Sequence, residues 1–237
     1  LGFERTFAMA GTLHVGAAAT ARIGPGAPAP LVLTAGSLTV DAANGAQLDV
    51  GSNAAIVDYA GASPLATLTG YLATGYNGGG WNGAGIQSSS AAVNPGTALG
   101  VIEASDTGVT SFLGQSFTGD AVLMRYTLAG DSNLDATVNL DDFTALAAQF
   151  GQDGRWYTGD FNYSGHVDLD DFTALAANFG LTLPADAPRG STVPEPSSAV
   201  VILLSSFVIR RRTSRFRLLE NNLQPEAFSN CKDRKLR

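Results

Sequence analysis

Two acidic stretches place oxygen-bearing side chains at the same spacing. In the first, Asp131, Asn133, Asp135, Asn139 and Asp142 hold positions 1, 3, 5, 9 and 12 of a twelve-residue run. In the second, Asp160, Asn162, Ser164, Asp168 and Asp171 hold the same places. A hard divalent cation such as Ca²⁺ takes six to eight oxygens at roughly 2.3–2.6 Å, and alternate positions of a tight loop turn inward to supply them. Position 7, Thr137 in one run and His166 in the other, contributes its backbone carbonyl in that scheme. The spacing therefore predicts two Ca²⁺ ions, one per loop. The imidazole of His166 is expected to face outward, because no second His or Cys lies close enough in sequence for a transition-metal site.

The elements that must hold these loops are also duplicated. Leu140–Gly151 and Leu169–Gly180 repeat Leu-Asp-Asp-Phe-Thr-Ala-Leu-Ala-Ala at a constant offset of 29 residues. Phe143, Leu146 and Phe150, like Phe172, Leu175 and Phe179, fall at i, i+3 and i+7, one apolar stripe of a helix. Gly151 and Gly180 stand where helices commonly stop. Neither short unit can bury its stripe alone, so the two are expected to pack around the four phenylalanines. Upstream, Val122–Leu128 alternates as a strand, and Gly154–Gly159 reads as a loop.

Residues 129–183 resemble the type I dockerin family, whose duplicated loop–helix units lack the leading helix of an ordinary EF-hand and carry Asp at position 12. The resemblance implies two Ca²⁺ ions, folding coupled to calcium, and docking toward a cohesin-like module. Ala136 replaces the turn glycine of the first loop, where a Cβ at positive φ costs on the order of 1 kcal/mol. Ser164 replaces an acidic ligand of the second. The family usually shows Ser or Thr at positions 10 and 11, where this chain has Leu140-Asp141 and Leu169-Asp170. The leucines are expected to turn inward with the phenylalanines and the aspartates outward, which predicts no tight grip on a type I cohesin.

Farther on, Val193-Pro194-Glu195-Pro196 precedes an apolar run, Ala199–Ile209, and a cluster of Arg210, Arg211, Arg212, Arg215 and Arg217. Cations just beyond an apolar segment fix its orientation in a membrane. The order resembles the PEP-CTERM sorting signal, which implies cleavage by an exosortase and delivery to the cell surface or extracellular matrix, with residues 199–209 transiently in the inner membrane. As a helix that run spans about 16 Å, against roughly 30 Å of hydrocarbon.

Charge is unevenly spread. Residues 1–196 carry 5 basic and 18 acidic groups, a net charge of −13. That disfavours nucleic acid as a partner and favours cations. Cys231 is the only cysteine, so no intramolecular disulfide is available. The chain opens at Leu1 without a basic-plus-apolar leader, and the expectation is a C-terminal portion of a larger exported protein.

In the first 128 residues, Gly11–Val15, Gly36–Val40 and Ala46–Val50 repeat a small-x-Leu-x-Val pattern with turn residues between. This reads as strands of a β-solenoid end, with a β-sandwich as the alternative. Ile56–Tyr59 and Leu65–Leu68 are read as further strands. Tyr71–Gly85 mixes aromatics with glycines, a composition suited to stacking on the sugar rings of a polysaccharide or to plugging a β-core. Glu103, Asp106 and Asp120 form no acid/base couple in the sequence, and His14 is the sole histidine before the loops, so no catalytic set is expected.

The expected fold class is a mainly β N-terminal region plus a small all-α dockerin-like pair and a short apolar C-terminal segment. Its boundaries are β-repeats at 1–60, a Gly/aromatic β-region at 61–128, the calcium module at 129–183, a linker at 184–192, the sorting signal at 193–217 and a tail at 218–237. The expected function is that of a calcium-binding, non-enzymatic protein exported to the cell surface or matrix. The alternatives are the C-terminal part of a polysaccharide-degrading enzyme whose catalytic module lies upstream, or a cohesin-docking adaptor.

Overall fold

Alternating apolar residues set the first strands. The computed structural model describes residues 7–24 and 30–184, all within one of the chain's two units, Leu1–Arg189. The linker beyond Pro184, the sorting-signal segment and the tail lie outside the described residues. In chain order the first strands are β1 (Phe7–Val15), β2 (Thr20–Arg22), β3 (Val32–Val40), β4 (Gln47–Asp49) and β5 (Ala54–Asp58). Parallel pairing of β1 with β3 sets Leu13 beside Leu38 and Val15 beside Val40, and β3 continues parallel onto β5. Val15, Leu38, Val40, Leu48 and Val50 are buried, as a period-two pattern dictates for the covered face of a sheet.

Helix α1 (Leu65–Tyr76) follows, then β6 (Gly85–Gln87), which extends β2 and β4 into a three-stranded parallel sheet. Leu65–Leu68 is therefore helical and not a strand. Over four residues the two periods are indistinguishable, but Leu65, Leu68 and Leu72 share one helical stripe, and Leu68 and Leu72 are fully buried. Gly75 lets α1 lie directly on β6, since a Cβ there would fall 1.8 Å from the Ile86 carbonyl oxygen.

Next come β7 (Thr97–Glu103), the single-turn α2 (Ala104–Thr107), a β8 (Ser111–Phe112) and β9 (Gln115–Ser116) hairpin, and β10 (Ala121–Leu128). Strand β10 inserts between β5 and β7, antiparallel to both, and completes a five-stranded sheet in the order β1-β3-β5-β10-β7. The chain ends its described course with α3 (Leu140–Gln149) and α4 (Leu169–Asn178).

This arrangement overturns the expected fold class. The structure is mixed α/β, and its main sheet combines parallel and antiparallel strands. No closed solenoid forms among the described residues, and the parallel pairs β1-β3-β5 and β2-β4-β6 are not those of an antiparallel sandwich. The loop–helix units do not form an all-α pair of their own: Leu134, Val138, Leu146, Trp156, Tyr163, Val167 and Leu175 belong to the same apolar core as the strands. The physical reason is long-range. The backbone edges of β10 are satisfied by pairing with β5 and β7, and the loop–helix residues cover the sheet's apolar side chains, neither of which any local spacing announces.

Candidate metal centre

Both loops are organised by their own carboxylates. In loop 1, Asp131 accepts hydrogen bonds from the backbone N–H groups of Asp135 (3.1 Å) and Ala136 (2.9 Å). In loop 2, Asp160 accepts from Ser164 (3.0 Å) and Gly165 (2.9 Å). The position-3 amides repeat the theme: Asn133 Oδ1 accepts from Asp135 N at 3.0 Å and Asn162 Oδ1 from Ser164 N at 2.9 Å. Asp135 Oδ1 accepts from Thr137 N at 2.8 Å, and its other oxygen accepts from the Asn133 amide at 3.2 Å. Such side-chain-to-backbone bonds are how Asp and Asn hold tight turns.

Positions 9 and 12 close each loop and start each helix. Asn139 Oδ1 accepts from Asp141 N (2.7 Å), while Asp142 Oδ2 accepts from Asn139 N (2.8 Å). Asp168 Oδ1 accepts from Asp170 N (2.9 Å), and Asp171 Oδ2 from Asp168 N (3.0 Å). These are reciprocal capping boxes. The second oxygen of each position-12 carboxylate reaches back across the loop, Asp142 to Ser132 N (2.8 Å) and Asp171 to Phe161 N (2.8 Å). At position 6, Ala136 adopts φ 75° where Gly165 adopts φ 84°, so loop 1 carries the strain expected for a Cβ at positive φ, about 1 kcal/mol.

The electrostatics favour a cation. Asp131, Asp142, Asp160 and Asp171 are all at most 1% exposed. Burial pushes the Asp131 carboxyl up to about 6; Asp142 and Asp135 nearby add to the rise, against the hydrogen bonds from Thr127 and Ala136. Burial likewise pushes Asp160 up to about 6, with Asp171 adding to the rise. Asp171 is also raised, again chiefly by burial. Among the described residues no three His, Cys, Asp or Glu side chains converge to hold an ion by themselves. Each loop's donor set is instead mixed, carboxylate, amide and carbonyl oxygens with the Ser164 hydroxyl added in loop 2, the hard donors that suit Ca²⁺. The Ser164 hydroxyl donates to the His166 carbonyl at 3.0 Å. The His166 ring turns away to Asp153 at 3.4 Å, on the exposed side. The hydroxyl of Thr137 meets that of Thr182 at 3.1 Å.

The two units interlock with near two-fold regularity. The end of loop 1 pairs with the segment after α4 (Thr137 opposite Thr182, Val138 N to Leu181 O at 2.9 Å). The end of loop 2 pairs with the segment after α3 (Asp153 opposite His166, Gly151 N to Val167 O at 2.9 Å). The four phenylalanines do not form the seam. Phe143 and Phe172 touch edge to face at 6.5 Å but stay 38% exposed, while Phe150 and Phe179 are half exposed. Leu146 and Leu175 are the buried members of each stripe. Leu140 and Leu169, expected inward, are 65% exposed, because position 10 begins the helix on its solvent side.

Residues outside the ligand pattern fasten the loops to the sheet. Tyr163, at position 4 and φ 60°, donates its hydroxyl to the Leu99 carbonyl of β7 at 2.7 Å. Leu134 holds the same place in loop 1 and is buried beside Trp156 and Gly100. The Trp156 indole donates to the Asp131 carbonyl at 2.7 Å, and Arg125 donates to the Leu134 carbonyl at 3.0 Å. The Thr127 hydroxyl caps the Asp131 carboxylate. Arg155 forms a bidentate pair with Asp106 at 2.9 and 2.7 Å. An apolar residue at the fourth place of both polar loops was the sequence signal for this anchoring; nothing in the sequence marks Thr127 or Arg125. Tyr163→Phe leaves the buried Leu99 carbonyl without its donor and is expected to lower unfolding stability by about 1–3 kcal/mol, read by urea titration.

No protein-family model and no curated protein matches this chain. Among solved structures, a type II cohesin-dockerin domain from Bacteroides cellolosolvens is similar over 24% of this chain and 92% of its own, at 37% identity and a TM-score of 0.22.

Proposed function

We propose that residues 129–183 form a calcium-stabilised docking module on a non-enzymatic protein exported to the cell surface or extracellular matrix. The observation that carries the calcium reading is the duplicated loop itself. In both copies, two buried carboxylates at positions 1 and 12 are braced by loop N–H groups and flanked by neutral oxygen donors. Asp131, Asn133, Asp135, the Thr137 carbonyl, Asn139 and Asp142 would hold one ion. Asp160, Asn162, Ser164, the His166 carbonyl, Asp168 and Asp171 would hold the other. Calcium supplies charge neutralisation and folding free energy to these loops. Isothermal calorimetry is expected to give about two ions per chain, and Asp160→Ala about one. Absence of binding at millimolar Ca²⁺, where even weak extracellular sites fill, refutes the reading.

Structural roles for Glu103 and Asp106 support a non-enzymatic protein. Glu103 accepts from the Tyr59 and Ser63 hydroxyls, and Asp106 is held by Arg155.

Docking is supported by the exposed face of the helices. Leu140, Leu169, Phe143 and Phe172 present apolar surface at the starts of α3 and α4, which fits a cohesin-like partner with an apolar contact surface better than one built for hydroxyl donors. Leu140→Asp with Leu169→Asp is expected to leave calcium stoichiometry unchanged, since both side chains are solvent-facing. The same pair should weaken capture of such a partner at least tenfold in a titration.

A further inference from the structure

A cleft of about 730 Å³ opens beside loop 2, walled on one side by the C-terminal end of α1 with Gly78 and Gly79, and on the other by residues 161–164 and α4. Four aromatics converge on it. Tyr76 meets Trp81 edge to face at 5.2 Å and Tyr163 at 5.4 Å, and Trp81 meets Tyr163 at 6.1 Å; Phe161 completes the lining. Trp81 is 4% exposed, so the Gly/aromatic segment does fill the end of the core, yet it also faces this opening. The Tyr76 hydroxyl and the Trp81 indole N–H bond to no other described residue, whereas every fully enclosed side-chain nitrogen and oxygen of the described residues has a partner. Neither donor is fully enclosed, and both residues line the cleft.

The lining decides the ligand class. It includes no Lys, Arg or His and no Leu, Ile, Val or Met, so it offers no positive charge to an anion and little to an aliphatic chain. It pairs the half-buried Tyr76 ring and the edges of Trp81 and Phe161 with the exposed carboxylate of Asp170, while Asn162 and Ser164 bond within loop 2 and Asn178 donates to the Gly96 and Ala129 carbonyls. A sugar ring has the matching halves: C–H faces that rest on aromatic carbon, and hydroxyls that donate to carboxylate or amide oxygen and accept from indole N–H and phenol. The volume lies in the ordinary range for small-ligand sites, roughly 300–1,000 Å³.

We propose that this cleft binds a short neutral oligosaccharide. The site stands on the cleft's geometry, and its wall includes Asn162 and Ser164 of the loop-2 cation set. The test is an amide ¹H–¹⁵N titration of the full chain with cellotriose, xylotriose, mannotriose and maltotriose, each to millimolar concentration in calcium buffer. At least one sugar is expected to give saturable shifts centred on Gly78, Gly79, Asn162 and Ser164. Ala177 is an exposed α4 residue of the lining. Ala177→Trp fills the cleft and is expected to weaken that binding at least tenfold while the melting temperature holds. Tyr76→Phe should weaken it severalfold. No saturable shift with any of the four sugars, or shifts that persist unchanged in Ala177→Trp, overturns the proposal.

Discussion

Calcium-free protein is expected to become more stable as pH falls from 7 toward 5, and calcium-loaded protein to become less so. Asp131 and Asp160 have carboxyls pushed up to about 6 in the folded chain, against an ordinary value of 3.8. A raised carboxyl binds its proton more readily folded than unfolded, so its contribution favours the folded state at low pH. That contribution is lost as pH climbs through the window between the two values. A shift of about two units at 1.36 kcal/mol each makes the cost near 3 kcal/mol per aspartate at pH 7, comparable to a large share of a domain's net stability. On the proposed calcium reading Ca²⁺ reverses the sign, because it would bind the ionised form, so that protons and metal compete over the same window. Urea titrations at pH 5, 6 and 7, with EDTA and with saturating Ca²⁺, should give slopes of opposite sign. Asp131→Asn with Asp160→Asn should flatten the calcium-free slope. Parallel slopes in the two conditions would show that the two aspartates do not sit in the cation sites.

What the sequence made legible was local. The loop boundaries and the starts of α3 and α4 at position 10 follow from dense patterns repeated at a fixed offset, where capping and turn chemistry act within a few residues, and the strand at Val122–Leu128 follows from its own alternation. The positive φ at Ala136 was readable for the same reason. The errors arose where a pattern names a face without naming its cover. Phe143, Leu146 and Phe150 do share a stripe, but of the helix's two buried places one goes to the capping carboxylate Asp142 and the other to Leu146. The sheet order was invisible because β10 pairs with β5 and β7 across long stretches of chain, and its alternation is equally compatible with any neighbour. The fastening of loop 2 to β7 through Tyr163 follows from that sheet order and could not precede it.

Gly130→Val and Gly159→Val are each expected to destabilise the protein by about 4 kcal/mol, a loss large enough to unfold a marginal domain. These residues stand one step before each loop, 29 apart, at φ 110° and φ 108°. Each backs onto the helix of the opposite unit. A Cβ on Gly130 would lie 2.8 Å from Leu175 Cα, and one on Gly159 would lie 2.8 Å from Leu146 Cα. Two costs therefore coincide. A β-branched residue is strained at that φ by roughly 1–2 kcal/mol, and the crowded atom is backbone, which yields only by shifting a helix, at about 1–3 kcal/mol. The crossing is what makes the interlocked pair a single object: the first glycine seats the second helix and the second glycine seats the first. Either variant should therefore loosen both proposed calcium loops at once, and calorimetry should show the loss of more than one ion's binding from one substitution. A variant that lost only the adjacent loop's ion and kept the other at full affinity would show that the two units fold independently.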